Sequence, residues 1–155
     1  MLINVVQSLI PEGARPLICQ WSEQYRVTYS VVASRKTKLG DHRYDSLRNI
    51  SIITLNEDSN PYRFLVTLVH ELAHARVRFE SSARVVPHGK EWKAAVKAMM
   101  FEMKNSGVFP YDVEVAIERH FSSPKYTDTV DPVFVRILGQ YGSRVAHAGS
   151  NSVPD

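Results

Sequence analysis

The stretch from Asn60 to about Phe79 constrains this chain most. Asn60-Pro61 has the form of a helix N-cap followed by proline at the first helical position, where the missing N–H costs nothing. Leu65, Leu68, Leu72, Ala75 and Phe79 then recur at helical spacing and predict one buried stripe. The same helix carries His70-Glu71-x-x-His74, flanked by Leu68, Val69, Leu72 and Ala73. Imidazoles set among apolar side chains lose hydration, and a stable fold must give them polar partners in return. The fold must therefore bury this helix and still leave its polar residues something to bind.

The spacing names a partner. Residues four apart on an α-helix are rotated by about 40°, so His70 and His74 project from the same side. Two imidazoles so placed can bind one zinc ion at about 2.0–2.1 Å each. Glu71 lies about 60° from His74 around the helix. From there a carboxylate can reach a water in the metal's coordination shell and act as general base. A catalytic zinc takes three protein ligands and keeps its fourth position for water. His88, beyond a loop and beside Gly89, is the first candidate for the third ligand. Glu91 and Glu80 compete with it, because carboxylates also bind zinc. His42, His120 and His147 stand in no motif and read as ordinary surface or core histidines.

The rest of the chain gives this helix a setting. A length of 155 residues predicts one domain, able to bury a core without disulfides. Leu2, Val5, Val6 and Leu9 predict a short helix ended by Pro11. Ala14, Leu17, Ile18, Trp21 and Tyr25 predict a second, which includes Cys19 as a packing residue. Period-two alternation over 26–34 predicts a strand, and Ile50, Ile52 and Leu55 another, with a polar stretch from Arg35 to Asp45 and a turn at Gly40-Asp41 between them. A helix from Gly89 carries Trp92, Ala95, Val96, Met99 and Met103 on a core face. Two more follow, one burying Val113, Ala116, Ile117 and Phe121, the other opening at Asp131-Pro132 and burying Phe134, Ile137 and Tyr141. The expected class is α+β, a small antiparallel sheet packed against helices. Its core spans about 11–105, with a helical extension over 106–141 that completes a single domain over 1–141. A flexible tail is expected over 142–155.

One cysteine excludes an intrachain disulfide and a cysteine-based zinc ribbon, and fits a reducing, cytoplasmic setting. No apolar run is long enough to span a bilayer, and the first residues lack the features of a signal peptide. Net charge is only +3, but it is uneven: residues 26–97 hold 13 basic and 7 acidic side chains, a balance of +6. Such a centre can form an electrostatic footprint for nucleic acid. Arg35, Lys36, Lys38 and Arg43 are the candidate phosphate contacts, with Tyr44 placed to stack on a base. Lys90, Lys93, Lys97 and Lys104 read as a solvated helix face.

Taken together, SRKTKLGDHR (34–43), the following strand, VHELAHA (69–75) and PHGKEW (87–92) resemble the SprT-like, or Spartan-type, zinc metallopeptidases over about residues 11–105. The resemblance implies a minimal zincin-like fold and one zinc held by His70, His74 and His88, with Glu71 as catalytic acid and base. For the Spartan branch it implies cleavage of proteins bound or crosslinked to DNA. Protein substrates, single-stranded DNA and DNA–protein complexes would then be the partners, in a nucleoid or nuclear location. Many members append a cysteine-rich zinc ribbon that helps hold nucleic acid. With Cys19 alone this chain has none, and residues 106–155 read as helical instead. The competing expectation is a nucleic-acid-binding or transcription-associated protein whose zinc is mainly structural. A second donor to the oxyanion is also expected, from a Tyr, Arg or His.

Overall fold

The computed structural model describes residues 3–81, 85–122 and 132–142. Helix α1 (Ile3–Leu9), a turn of 3-10 helix (Glu12–Ala14) and α2 (Arg15–Gln24) lead into three strands, β1 (Val27–Val32), β2 (Gly40–Asp45) and β3 (Ile50–Asn56). Four helices follow: α3 (Pro61–Glu80), α4 (Lys90–Asn105), α5 (Tyr111–Ser122) and α6 (Pro132–Gly139). The class is α+β, as expected. No helix among the described residues is long and apolar enough to cross a membrane. Leu2, Asp131, His147 and the expected tail beyond Gly142 lie outside the described residues.

The sheet is mixed, not antiparallel throughout. Its order is β1-β3-β2. β1 runs parallel to β3, with Val27 opposite Ser51, and only β2 is antiparallel to β3, with His42 opposite Ile53. The polar stretch expected between the strands is itself mostly the edge strand β2. The segment before it crosses the end of β3, and Asn56 holds it there. The Asn56 side chain accepts from Arg35 at 2.7 Å and donates to the Lys38 carbonyl at 2.7 Å, and its backbone N–H donates to the Leu39 carbonyl at 2.9 Å. The hairpin turn lies beyond Asp45, whose carboxylate accepts from the backbone of Leu47 and Arg48, with Asn49 in the left-handed region.

One face of the sheet, through Val27, Tyr29, Ile53 and Leu55, is buried in the core. Helix α3 is buried on most of its circumference, including Phe64, Leu65, Leu68, Val69, Leu72, Ala73 and Ala75. Such a helix needs cover from more than one side. β2 and β3 supply part of it, and α4 the rest, with Trp92, Val96, Met99 and Met103 fully buried. Phe79, expected to end the stripe, is half exposed and meets Tyr25 edge-on.

Asn60 joins the start of α3 to the extension. Its Oδ1 accepts from the backbone N–H groups of Tyr62 and Arg63, the expected cap, and its Nδ2 donates to the Leu138 carbonyl of α6 at 2.6 Å. Asn60→Ala removes the cap and strands a buried carbonyl, so it should cost about 2–4 kcal/mol. Asn60→Ser restores a cap without the reach to Leu138 and should recover about 1 kcal/mol of that. Urea unfolding of the three proteins checks both values.

Candidate metal centre

A single stripe of α3 stays clear of the core. Arg63, Thr67, His70, Glu71 and His74, each three or four residues from another of the set, share one side of the helix and line a cavity of about 600 Å³. Its other walls come from residues 37–42, from Pro87, His88 and Trp92, and from Val135 and Leu138 of α6. β2 comes very close to α3 at Gly40. A methyl group there would lie 3.1 Å from Thr67, 3.2 Å from Leu55 and 3.3 Å from Glu71, so a side chain at residue 40 would crowd all three and push on Glu71.

His88 reaches the site through a tight turn. The Gly89 N–H donates to the Val86 carbonyl at 3.0 Å, with Pro87 and His88 as the central residues and His88 at φ 58°. Proline followed by a left-handed residue is the pattern of a type II turn. The sequence pointed to Gly89 as the residue that lets the chain turn. Instead His88 takes the left-handed conformation, and Gly89 is the extended N-cap of α4. A non-glycine residue held there costs on the order of 1–3 kcal/mol and persists only where its surroundings enforce it.

The turn brings Nε2 of His88 to 3.1 Å from Nε2 of His74. Two nitrogens each about 2.0–2.1 Å from a tetrahedral zinc lie about 3.3 Å apart, so this pair fits one edge of such a site. His70 lies on the same stripe, its ring edge-on to Trp92 at 5.7 Å and to Phe121 at 6.1 Å, with Nε2 buried. Among the described residues, no three His, Cys, Asp or Glu side chains already stand in ligating geometry. The assembled part is therefore the His74–His88 pair, with His70 and Glu71 beside it in the same cavity. Of the rival ligands, Glu80 is exposed and pairs with Arg76, and Glu91 is exposed; neither lines the cavity.

Sequence reasoning missed two residues. His42, read as an ordinary histidine, lines the cavity and stacks on His74 with ring centroids 5.9 Å apart, while its Nε2 bonds the Ser51 hydroxyl at 2.8 Å. The clue was available in the alternation of Gly40, His42 and Tyr44, which puts all three on one face of a strand. Trp92, read as core, is indeed 1% exposed, but it is also the floor of the site. Its ring lies 5.4 Å from His74 and 4.7 Å from His88, and its indole N–H donates to the His70 carbonyl at 3.2 Å.

The basic segment is less free than its sequence suggests. Arg35 pairs with Asp41 at 2.7 Å, and Lys38 reaches the same carboxylate oxygen at 3.5 Å. Lys36 and Arg43 are exposed. One face of Tyr44 is covered by the Arg78 guanidinium, 3.9 Å from the ring centroid.

The model of the SprT-like family matches residues 14–116. The chain belongs to the SprT-like family. The match runs from the start of α2 into α5, so it takes in the strands, α3, the turn at His88 and α4, and leaves α6 outside. No curated protein and no solved structure matches this SprT-like chain.

Burial makes two imidazoles of the site, those of His74 and His42, hard to protonate. It pushes His74 down to about 3, helped by His88, His42 and His70 nearby. It pushes His42 down to about 4, helped by Arg78 and opposed by Asp41. Neutral rings suit metal binding, which needs a free lone pair. Because both values fall below the ordinary 6.5, the unfolded chain takes up protons that the folded one refuses. The stability present above about pH 6.5 is then lost as the pH falls toward those values. For the metal-free protein the loss between pH 7 and 5 should be on the order of 2 kcal/mol per histidine. Urea midpoints at pH 7, 6 and 5 with a chelator present measure it, and His42→Gln should flatten the trend.

Proposed function

We propose that this chain is a zinc-dependent endopeptidase in which His70, His74 and His88 hold one zinc and Glu71 is the general base. The observation that carries the reading is the 3.1 Å approach of His74 and His88 in the cavity that Glu71 also lines. The association of the SprT-like family with zinc metallopeptidases supports it. Zinc, when bound, supplies an activated water and a positive charge for the substrate carbonyl. Glu71 takes the proton of the attacking water and passes it to the leaving amine. β2 is an edge strand, and residues 37–42 line the cavity, so an extended peptide can pair with its open edge. His42 is the best candidate for a second donor to the oxyanion. Arg63, which also lines the cavity, has its guanidinium held by Asp58 at 2.7 and 2.9 Å.

Proteins bound or crosslinked to DNA are the substrate class we favour. Lys36 and Arg43 are exposed and have no acidic partner among the described residues of the segment, so they are the phosphate contacts we favour, while Arg35 and the also exposed Lys38 share Asp41. Two contacts in place of four lower the expected log–log salt slope on single strands from about −3 to about −1.4. The test is proteolysis of a DNA-binding protein with and without single-stranded DNA, for wild type and Glu71→Gln. The variant should keep its zinc and lose at least about 10²–10⁴-fold in rate. Single-stranded DNA should accelerate the wild type at low salt. Wild-type rates from Glu71→Gln contradict the mechanism, and a rate indifferent to DNA leaves a peptidase without a nucleic-acid role.

A further inference from the structure

One wall of the cavity comes from outside the residues that match the family. Val135 and Leu138 of α6 line it together with Leu39 and Val66. Leu138 and Val66 are each 3% exposed, whereas Val135 and Leu39 are 51% and 53% exposed. The cavity thus has a buried apolar floor and an apolar lip. The wall is fixed in place: Asn60 bonds the Leu138 carbonyl, and Phe134, 1% exposed, packs against Phe121 of α5. Two charged groups beside it have counter-ions, Arg63 in Asp58 and Lys38 in Asp41.

We propose that α6 completes an apolar specificity subsite, made by Leu39, Val66, Val135 and Leu138, which takes a large aliphatic or aromatic side chain of the peptide beside the bond that Glu71 acts on. The inference rests on the peptidase reading for the word substrate, but not for the binding itself. Burying an apolar side chain against four apolar ones is favourable. A charged side chain would give up its hydration among these four apolar ones, and an acidic one would also meet Glu71 in the same cavity. A volume of about 600 Å³ lies within the range of small-molecule pockets and holds more than one side chain, so residues on both sides of the occupant can follow it in.

The test is an NMR titration of the metal-free 155-residue chain with acetyl-Leu-Leu-amide and acetyl-Asp-Asp-amide, for wild type and Val135→Asp. Val135 is half exposed, so this substitution should leave the fold intact, and the amide spectrum of the free variant checks that. The leucine peptide should bind weakly but saturably, shifting the amides of Leu39, Val66, Val135 and Leu138, and the aspartate peptide should not. Val135→Asp should weaken leucine binding about tenfold or more. Equal response to both peptides, shifts confined to other surfaces, or an unchanged affinity in the variant would overturn the proposal. The zinc-loaded enzyme then separates the two readings. Apolar binding without cleavage of any peptide removes the peptidase and keeps the subsite, whereas cleavage indifferent to apolar side chains removes the subsite and keeps the peptidase.

Discussion

The contact on which the site depends is that of Trp92 with the histidines of α3. The indole is buried between α3 and α4, its N–H bonds the His70 carbonyl, and its ring lies against the imidazoles of His70, His74 and His88. Helix packing and site assembly are therefore one event. His88 lies two residues before α4, so docking the first turn of that helix through Trp92 brings the imidazole to His74. The left-handed backbone at His88 is the local cost of this arrangement. The burial of Trp92 and the methionines behind it, worth about 1.5–3 kcal/mol for a side chain of that size, offsets it.

A second constraint sits on the other side of the cleft. β2 is polar along its length, yet it lies close against α3 at Gly40, where a side chain would crowd Thr67 and Glu71. Its alternation sends His42 toward His74 and puts Asp41 among the basic side chains of the preceding segment. Asp41 engages two of the four basic side chains, Arg35 and Lys38, that made that segment look like a phosphate-binding patch. The sum of +6 over residues 26–97 counts charges and says nothing of their partners.

What could be read from the sequence follows physical strength of signal. The N-cap at Asn60, the helix that carries His70-Glu71-x-x-His74 and the buried face of α4 are local patterns with fixed helical periods, and each element forms where it was expected. β2 was hidden because an edge strand with polar residues on both faces has no alternation of hydrophobicity to detect. The parallel pairing of β1 with β3 was hidden because it depends on a crossing segment tied by Asn56, a contact between residues about twenty apart. The alternation of β2 shows only that His42 shares a face with Gly40 and Tyr44, not what that face meets. Trp92 joined the site by tertiary packing, which no spacing in the sequence encodes. The same is true of α6, whose place over the cleft depends on Asn60, 78 residues away from Leu138.

The central claim is that three histidines of this chain form an open zinc site. X-ray absorption at the zinc edge, on protein loaded with one equivalent of the metal, tests it most directly. The account predicts three imidazole nitrogens and one non-protein oxygen, all at about 2.0–2.1 Å. A shell of two imidazoles with a carboxylate would give the third place to Glu91 or Glu80. A shell closed by four protein ligands, or a failure to bind zinc tightly, would contradict the account.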